Sequence, residues 1–548
     1  MYRFLFLSVL LFSGCAKEPN SIPIISIDNP KALNVVMDSA DIREFRVLDS
    51  RYLNNADIWK DLNSDLADFS EEHYQNLKPL IIESDIPALQ CHVASGNLSY
   101  ETLVKFYLYR IRKYDRENEL SLNSVISINP FIIDQAREKD KESKKTNEKH
   151  IIFGMPILLK DNINAADMPT TAGAVALYNN YAEDAFITSR LKEAGALILG
   201  KANLSEWAYF FCGDCPSGYS AIGGQTLNPY GRRIMGTGGS SSGSGVSVAA
   251  NFAVAAIGSE TSGSILSPSS ANSIVGLKPT IGLLGRSGIV PISSTLDTPG
   301  PMTKNVIDNA ILLSVLAFED SSDKKTINLA PNEAIDYAKN LTKGNLDGKR
   351  YGIFKRLMQD SVYAQAISDI KNLGAEVVEV DEVETDRSAF LRLLNLEMKN
   401  DLPHYLKTAA DTAVVVSSIK SIIDFNNQDS LNRSPYGQRL FKGIVDDKGT
   451  QSYLDSIKTN LKNVSKNYFD VPTEAHDLDG FLSINNWHAN LAALAEFPAI
   501  TVPMGYTLEG RPRGLTFISQ PLSERQLLEW AYKYEQATKK RIPPVNYN

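Results

Sequence analysis

The chain has 548 residues, of which 43% are hydrophobic and 22% are charged, so it can bury a large core and is not composed like a disordered protein. Its formal net charge of −8 argues against sequence-independent binding to nucleic acid, which needs a basic face. Beyond the N-terminal segment there is no run of 18 apolar residues, so the pattern predicts no spanning helix in the body of the chain.

The N-terminal segment has the pattern of an export signal. Arg3 precedes an apolar stretch at 4–12, and small residues then lead to Cys15. The stretch is too short to span a bilayer but suits a signal-peptide core. Small residues directly before a cysteine resemble the lipobox of bacterial lipoproteins, although an ordinary signal peptide with an incidental cysteine is the alternative. We therefore expect a signal peptide at 1–14 and a lipid-anchored tether at 15–40.

Lipidation of Cys15 would hold the protein in the cell envelope, facing the periplasm or the cell exterior. The pair Cys212 and Cys215 forms a C-x-x-C in a Gly-, Ser- and Pro-rich loop. It could be a redox pair, half of a metal site or a local disulfide. The six histidines are not clustered, which disfavours zinc, and the loop setting differs from a thioredoxin-like motif. A structural disulfide suits an exported protein best, and we expect no metal and no cofactor.

Strand-like and helix-like segments alternate through the middle of the chain. Apolar runs predict strands at 151–159, 196–199, 254–257, 351–354, 376–380, 500–502 and 515–518. Amphipathic segments predict helices that start after the N-cap Ser99, at 186–194 before Gly195, and near 362–373. This alternation indicates an α/β protein with a largely central sheet.

The domain boundaries follow from breaks in this pattern. Residues 41–83 are polar and helical and form an N-terminal extension. The main domain then occupies 84–545. Within it, residues from about 386 to 477 lack the alternation, so we expect a mainly helical insertion there whose residues contribute walls of the substrate pocket.

The most unusual stretch is a Gly/Ser loop, GTGGSSSGSG at 236–245. A flexible linker is its default interpretation, but the apolar run 246–257 follows at once and must be buried. A second loop, GSETSGS, occupies 258–264. Gly/Ser loops held between buried elements let the backbone approach a ligand closely.

Three functions compete for the first loop. Phosphate binding by a P-loop needs a terminal Gly-Lys-Ser/Thr, which this loop lacks. A nucleophile elbow, G-x-S-x-G, fits 239–243 and would make Ser241 the nucleophile of an α/β-hydrolase-like esterase with His404, His476 or His488 as base. No apolar strand precedes the loop, which weakens this interpretation. The third possibility pairs serines of the two loops with a lysine.

Six motifs in chain order resemble the amidase signature family over roughly 84–544. They are GMPILLKDN at 154–162, GKANLSE at 200–206, GGSSSGSGV at 238–246, GSETSGSI at 258–265, VGLKPT at 275–280 and FPAITVP at 497–503. The resemblance implies the amidase signature fold, in which helices cover both sides of a central mixed, twisted β-sheet. It also implies hydrolysis of linear carboxamide C–N bonds through a serine acyl-enzyme.

The family uses a Ser–cis-Ser–Lys triad, and its motifs map onto three residues of this chain. The resemblance implies that Ser264 is the nucleophile, that Ser240 follows a cis peptide bond, and that Lys160 is the final base. Burial would lower the pKa of the lysine so that it can accept a proton. Lys201 and Lys278 also lie in motifs, but we expect them to serve the scaffold.

The resemblance further implies an oxyanion hole made of backbone N–H groups. The donors would be those of Thr261, Ser262 and Gly263, together with that of Ser264.

The residues around the nucleophile bear on the substrate. Many family members carry Asp, two Gly and Ser-Ile-Arg there, whereas this chain has Glu260, Ser262 and Leu266. Without the arginine, malonamide-type substrates are disfavoured. The Glu-Thr-x-Gly-Ser form resembles the bacterial peptide amidase branch, which implies peptide C-terminal amides or small amides as substrates. A non-catalytic surface binding protein is the alternative from another class.

Overall fold

The structure is a computed structural model. It describes three stretches of the chain, 45–145, 149–327 and 335–548. The expected signal peptide, the tether and the lipidation site Cys15 lie outside the described residues. Within the three stretches, no helix is both long enough and apolar enough to cross a membrane.

A mixed sheet forms the centre of the fold. The strands, numbered in chain order, are β1 (Val125–Ile128), β2 (Pro156–Lys160), β3 (Leu197–Ala202), β4 (Tyr219–Ser220), β5 (Gly224–Gln225), β6 (Ala255–Glu260), β7 (Val275–Lys278), β8 (Thr298–Thr303), β9 (Arg350–Phe354), β10 (Glu376–Val380), β11 (Gly480–Ile484), β12 (Ala499–Tyr506) and β13 (Pro512–Ile518). Eleven of them lie in the order β1-β3-β2-β6-β8-β7-β12-β13-β11-β9-β10, and β4 and β5 pair separately.

Parallel and antiparallel pairs are combined in this sheet. β2 runs parallel to β3 and to β6, and β9 runs parallel to β10 and β11. The remaining pairs of the large sheet are antiparallel. Every residue of β2, β3 and β6 is buried. Because successive side chains point to opposite faces, both faces of the sheet are covered there. The predicted α/β class with a central mixed sheet is confirmed.

Helices cover the sheet and its ends. The α-helices span Asn55–Trp59, Asn63–Leu66, Glu71–Ile81, Ile86–Ala94, Tyr100–Tyr114, Ile132–Ser143, Phe186–Glu193, Ser242–Ala249, Leu266–Ala271, Val306–Leu316, Ser361–Asn372, Phe390–Thr408, Ile419–Asn427, Ser430–Arg433, Arg439–Asp446, Gln451–His476, Ala489–Leu494 and Glu524–Thr538. Shorter 3₁₀ turns occupy Val175–Leu177, Glu206–Tyr209, Leu341–Lys343, Lys355–Gln359 and Val545–Tyr547.

The buried apolar side chains form one large cluster around the sheet. A second cluster lies under the helices between Phe390 and Leu461. Trp207 and Phe211, which come much earlier in the chain, also belong to it. These helices therefore make a lobe with its own packing, and this lobe contacts the loops near the sheet.

Strand β8 has an unusual composition for a strand in the interior of a sheet, because it contains Pro299 and Pro301. Proline cannot donate to a ladder and is normally restricted to edges. β8 pairs with β6 along its length, but with β7 only at Met302 and Thr303. The two prolines lie where the ladder to β7 is absent, so the sheet accommodates them.

Candidate active site

Lys160 ends β2 and is fully buried. Because β2 and β6 are parallel neighbours, their carboxyl ends meet at the same edge of the sheet. The Nζ of Lys160 lies 2.8 Å from Ser240 Oγ, 2.9 Å from Ser259 Oγ and 3.0 Å from the Ser259 carbonyl oxygen. At this edge, Lys160 therefore contacts the first Gly/Ser loop through the hydroxyl of Ser240.

Burial lowers the pKa of Lys160 to about 7, and the charges of Asp297 and Glu260 oppose that shift. A neutral amine has two N–H groups and one lone pair. The Ser259 carbonyl can only accept, and the Ser259 hydroxyl can accept a second N–H. That arrangement leaves the lone pair of Lys160 directed to the Ser240 hydroxyl, so the contact has the geometry of a base.

Ser240 lies at the entrance to the helix Ser242–Ala249, where the Gly239–Ser240 peptide bond is cis. Its side chain is almost completely buried. The carbonyl oxygen of Ser240 accepts a hydrogen bond of 3.0 Å from Ser205 N. Main-chain contacts of this kind fix the turn that presents the hydroxyl to Lys160.

Ser264 lies on the loop that follows β6. Glu260 Oε2 accepts hydrogen bonds from the N–H groups of Ile265 at 2.7 Å and Leu266 at 3.0 Å, which bends the chain back on itself. Gly263 adopts a φ of +88°, which an L-residue rarely adopts. The bend leaves Ser264 half-buried at the turn.

The two serine loops touch through their backbones, since Ser241 N donates to the Ser264 carbonyl at 3.1 Å. Ser264 Oγ makes no side-chain hydrogen bond to any described residue. The structure therefore brings Lys160 and Ser240 into direct contact and places Ser264 beside them without a Ser240–Ser264 hydroxyl bond.

Four consecutive N–H groups, at residues 261–264, lie in the segment that ends at the half-buried Ser264. Within the described stretches, the N–H groups of Thr261, Ser262, Gly263 and Ser264 donate to no acceptor. Unsatisfied backbone donors in a folded interior are uncommon. They are therefore available to an oxygen atom of a bound molecule.

The geometry contradicts the esterase alternative based on Ser241. Ser241 Oγ is buried, donates to the Ser259 carbonyl at 3.0 Å and accepts from Ser259 N at 3.2 Å. The Nδ1 of the buried His488 instead pairs with Ser483 Oγ at 2.6 Å, and the ring stacks on Phe354.

His404 and His476 are exposed on the helices Phe390–Thr408 and Gln451–His476. None of the described histidines hydrogen-bonds Ser241, so that serine has no base and holds the loop in place.

The other lysines of the motifs have structural partners. Lys201 Nζ donates to the Ile163 carbonyl at 2.6 Å and Thr170 Oγ1 at 2.7 Å, and it pairs with Asp161 at 3.3 Å. Lys278 Nζ donates to the Pro279 carbonyl at 3.0 Å. Both are scaffold contacts.

The two cysteines of the C-x-x-C segment are in covalent contact. Cys212 and Cys215 are joined by a disulfide. Among the described residues, no three His, Cys, Asp or Glu side chains come together in a way that could hold a metal ion.

A cavity of about 520 Å³ opens beside the loop, and Ser259 and Thr261 line it. Its outer wall is formed by the segment 286–299 and by the helix Phe390–Thr408, which belongs to the helical region between 386 and 477. A volume of this size is that of a small-molecule site. The cavity therefore reaches this loop at Ser259 and Thr261, whereas Lys160, Ser240 and Ser264 are not among the residues that line it.

Asp297 is a site residue that the sequence analysis did not single out. Its Oδ1 accepts from Thr261 Oγ1 at 2.5 Å, and its Oδ2 accepts from the N–H groups of Ile292 and Ser293, each at 2.8 Å. It thus fastens the cavity wall to the first residue of the loop that carries Ser264. In the sequence, only its position in the segment STLDTPGP, between two of the family motifs, indicates that Asp297 could belong to the site.

Comparison with known proteins identifies the family. The family model "Amidase" matches residues 102–444. The chain is 36% identical to a probable amidase of Arabidopsis thaliana over 481 residues, covering 85% of this chain and 92% of that protein.

Two solved structures share the fold along nearly their full length. An amidase family protein of Bacillus anthracis str. Ames matches with a TM-score of 0.86 at 35% identity, covering 91% of this chain and 99% of that one. The peptide amidase of Stenotrophomonas maltophilia matches with a TM-score of 0.80 at 38% identity, covering 84% and 98%. The chain therefore belongs to the amidase signature family and is an amide-hydrolysing enzyme.

Proposed function

We propose that this amidase works through a serine acyl-enzyme, with Ser264 as nucleophile, Ser240 as proton relay and Lys160 as base. The observation that carries the proposal is the contact of 2.8 Å between Lys160 Nζ and Ser240 Oγ, because it joins a lysine with a pKa near 7 to a buried hydroxyl. A lysine that is half neutral near pH 7 can act as a general base.

The reaction then proceeds in balanced steps. Ser264 Oγ attacks the amide carbonyl carbon while its proton passes to Ser240 Oγ and the Ser240 proton passes to the lone pair of Lys160. The carbonyl oxygen becomes an anion that accepts hydrogen bonds from the N–H groups of 261–264. When this tetrahedral intermediate collapses, its C–N bond breaks. The leaving amine receives the proton held by Lys160 through Ser240. Water then gives a proton to the same relay and attacks the acyl carbon, the bond between that carbon and Ser264 Oγ breaks, and Ser264 Oγ regains its proton as the acid leaves.

Ser264 Oγ has no partner in the free enzyme. The relay requires a contact between the Ser264 and Ser240 hydroxyls, and the hydrogen bond between Ser241 N and the Ser264 carbonyl holds the two loops against each other. Catalytic hydrogen bonds are often completed only when a substrate binds.

For the substrate we propose the C-terminal amide of peptides, or small amides of similar shape. The support is the relatedness to the Stenotrophomonas peptide amidase at 38% identity together with the cavity next to Thr261. A panel of peptide amides, aryl acylamides and aliphatic amides tests this. Release of ammonia from peptide amides at a higher kcat/KM than from the other classes is the expected result. A preference for aryl acylamides would contradict it.

We also propose that the enzyme is exported and anchored through a lipid on Cys15. The small residues before that cysteine support this. In the native host, Cys15→Ser should move the enzyme from the membrane fraction to the soluble fraction, and metabolic labelling with a fatty acid should be lost. Membrane association that survives this substitution would contradict the anchor.

A further inference from the structure

The cavity is lined by a carboxylate that forms no ion pair with any described residue. Asp401, on the helix Phe390–Thr408, lines the cavity and is half-buried. Its Oδ2 accepts a hydrogen bond of 2.7 Å from Ser294 N. Among the described residues, no lysine, arginine or histidine lies within ion-pairing distance of Asp401. The charge therefore faces the cavity without a partner.

The neighbouring charges make this part of the cavity more negative. Burial, followed by the charges of Glu397 and Asp297, raises the pKa of Asp401 to about 6. The carboxylate is thus still largely ionised at neutral pH. A partly buried carboxylate of this kind is stabilised when a cation approaches it.

The one guanidinium on the wall is already engaged. Arg286 donates to Asp323 through Nε at 2.7 Å and Nη2 at 2.6 Å, a bidentate pair. Such a pair cancels both charges and fixes the geometry of the arginine. Besides this pair, the titratable side chains of the wall include Asp297, Asp401 and His404, and the charge of Arg286 also acts on both carboxylates.

The two remaining carboxylates differ in what they can offer a ligand. Both oxygens of Asp297 accept hydrogen bonds from the protein. Asp401, on the helical lobe, is bonded by a single residue, Ser294, through both its N–H and its side chain. It is therefore the group available to a bound cation.

We propose that the cavity is a cation subsite in which Asp401 binds an ammonium or guanidinium group of the amide substrate. This inference rests on the proposed function, because the cation would belong to the acyl part of the amide. The group could be a basic side chain or the α-ammonium of an unblocked amino-acid amide. The site favours either over a neutral group of the same size.

Four substrates separate the two sources of the cation: lysinamide, norleucinamide and their N-acetyl derivatives. Norleucine lacks only the terminal ammonium of lysine, and acetylation removes the α-ammonium. A lysine preference among the acetylated pair assigns the side chain, and a preference for free over acetylated norleucinamide assigns the α-ammonium. Asp401→Asn keeps an oxygen for the Ser294 N–H and removes only the charge. This substitution should lower the ratio of kcat/KM for the preferred cationic substrate to that for its neutral counterpart by about tenfold.

Asp386→Asn is the matched control. Asp386 is exposed outside the cavity and, like Asp401, accepts a backbone N–H, that of Ser388 at 2.9 Å. It should leave the preference unchanged. Equal kcat/KM for cationic and neutral substrates, or a preference that Asp401→Asn leaves intact, would overturn the subsite. Loss of the proposed function looks different, because then no amide is hydrolysed in a Ser264-dependent way.

A binding measurement keeps the subsite testable without turnover. By calorimetry, the Ser264→Ala variant should bind N-acetyl-lysinamide or lysinamide about tenfold more tightly than the Ser264→Ala/Asp401→Asn double variant. Norleucinamide carries the α-ammonium alone and N-acetyl-norleucinamide carries no cation, so they assign the source. Equal affinities of the two variants for all four ligands would contradict the role of Asp401.

Discussion

At the scale of single residues, the proposed chemistry depends on a lysine that is completely buried. Lys160 ends a strand whose residues are all buried, and Ser259 supplies two of its three contacts. The cost of burying a charge lowers its pKa, and the Ser240 hydroxyl is the remaining neighbour. The burial of Lys160 therefore lowers its pKa into the range that the proposed base requires.

This pKa predicts the pH dependence of the wild-type enzyme. Below about pH 7 Lys160 is protonated and cannot accept the Ser240 proton, and above it the amine is neutral. The kcat/KM for an uncharged amide such as N-acetyl-norleucinamide should therefore rise with pH, with a midpoint near 7. A pH–rate profile measures this. A rate that is flat or falls between pH 5.5 and 8.5 would rule out Lys160 as the base.

Adjacent serines should differ sharply when replaced. Ser240→Ala removes the relay and should lower kcat by at least about 100-fold, a size typical of lost proton transfer. Ser241→Ala removes a buried hydroxyl that bonds the Ser259 backbone, so it should cost about 1 kcal/mol of stability and leave most activity. Steady-state kinetics and denaturant unfolding of both variants check this. The reverse order would restore the esterase alternative.

At the scale of elements, much of the sheet follows from local patterns. The strand Glu376–Val380 and the helix Phe186–Glu193 with its terminal Gly195 lie where apolar runs and turn residues place them. Ser99 caps its helix by accepting from Thr102 N at 3.0 Å. Strand β8 could not be predicted in this way, because its prolines are tolerated only by the shortened ladder to β7.

Some site residues can likewise be predicted from local sequence motifs, whereas others depend on contacts between distant segments. Family motifs predict Lys160, Ser240 and Ser264. Asp297 and Asp401 escaped prediction because their roles arise from contacts between segments distant in sequence, which no periodicity reveals. Asp401 reaches Ser294 from a helix that begins about a hundred residues later along the chain.

The loop after β6 should tolerate no side chain at Gly263. The residue has a φ of +88°, and a Cβ there would lie 2.9 Å from Asn486 Nδ2. Gly263→Ala should cost about 1–2 kcal/mol of stability and reduce kcat by at least about tenfold, because the N–H donors would move.

Gly443→Ala is the matched control for this substitution. Gly443 lies in the helix Arg439–Asp446, and its added Cβ would meet no atom within 4 Å. Alanine there should leave kcat unchanged and raise stability slightly, since alanine is the better helix former. If both variants behaved alike in kinetics and unfolding, the strain at Gly263 would not matter to catalysis.

At the scale of the whole molecule, the helical lobe is coupled to the catalytic loop through one buried carboxylate. Glu397 is 1% exposed. It accepts hydrogen bonds from the hydroxyls of Ser293 and Thr295 and pairs with Lys458 at 2.6 Å. Because the segment that it holds also carries Asp297, the lobe and the loop are fixed relative to each other.

Removal of this link should destabilise the protein and weaken substrate binding together. Glu397→Ala leaves two hydroxyls and Lys458 without their acceptor, so it should cost about 3 kcal/mol of stability and raise KM. Asp424→Ala, which breaks the exposed pair of Asp424 and Lys420, should cost less than about 1 kcal/mol. Denaturant unfolding and initial-rate kinetics compare them. Equal small effects would show that the lobe is not anchored through Glu397.

The claim on which everything else depends is that Ser264 attacks the substrate. Labelling with a fluorophosphonate probe, followed by peptide mapping with mass spectrometry, tests it most directly. The proposed mechanism predicts one adduct on Ser264 in the wild type, no adduct in Ser264→Ala, and much slower labelling in Lys160→Ala. An adduct on Ser241, or continued amide hydrolysis by Ser264→Ala at the wild-type rate, would contradict it.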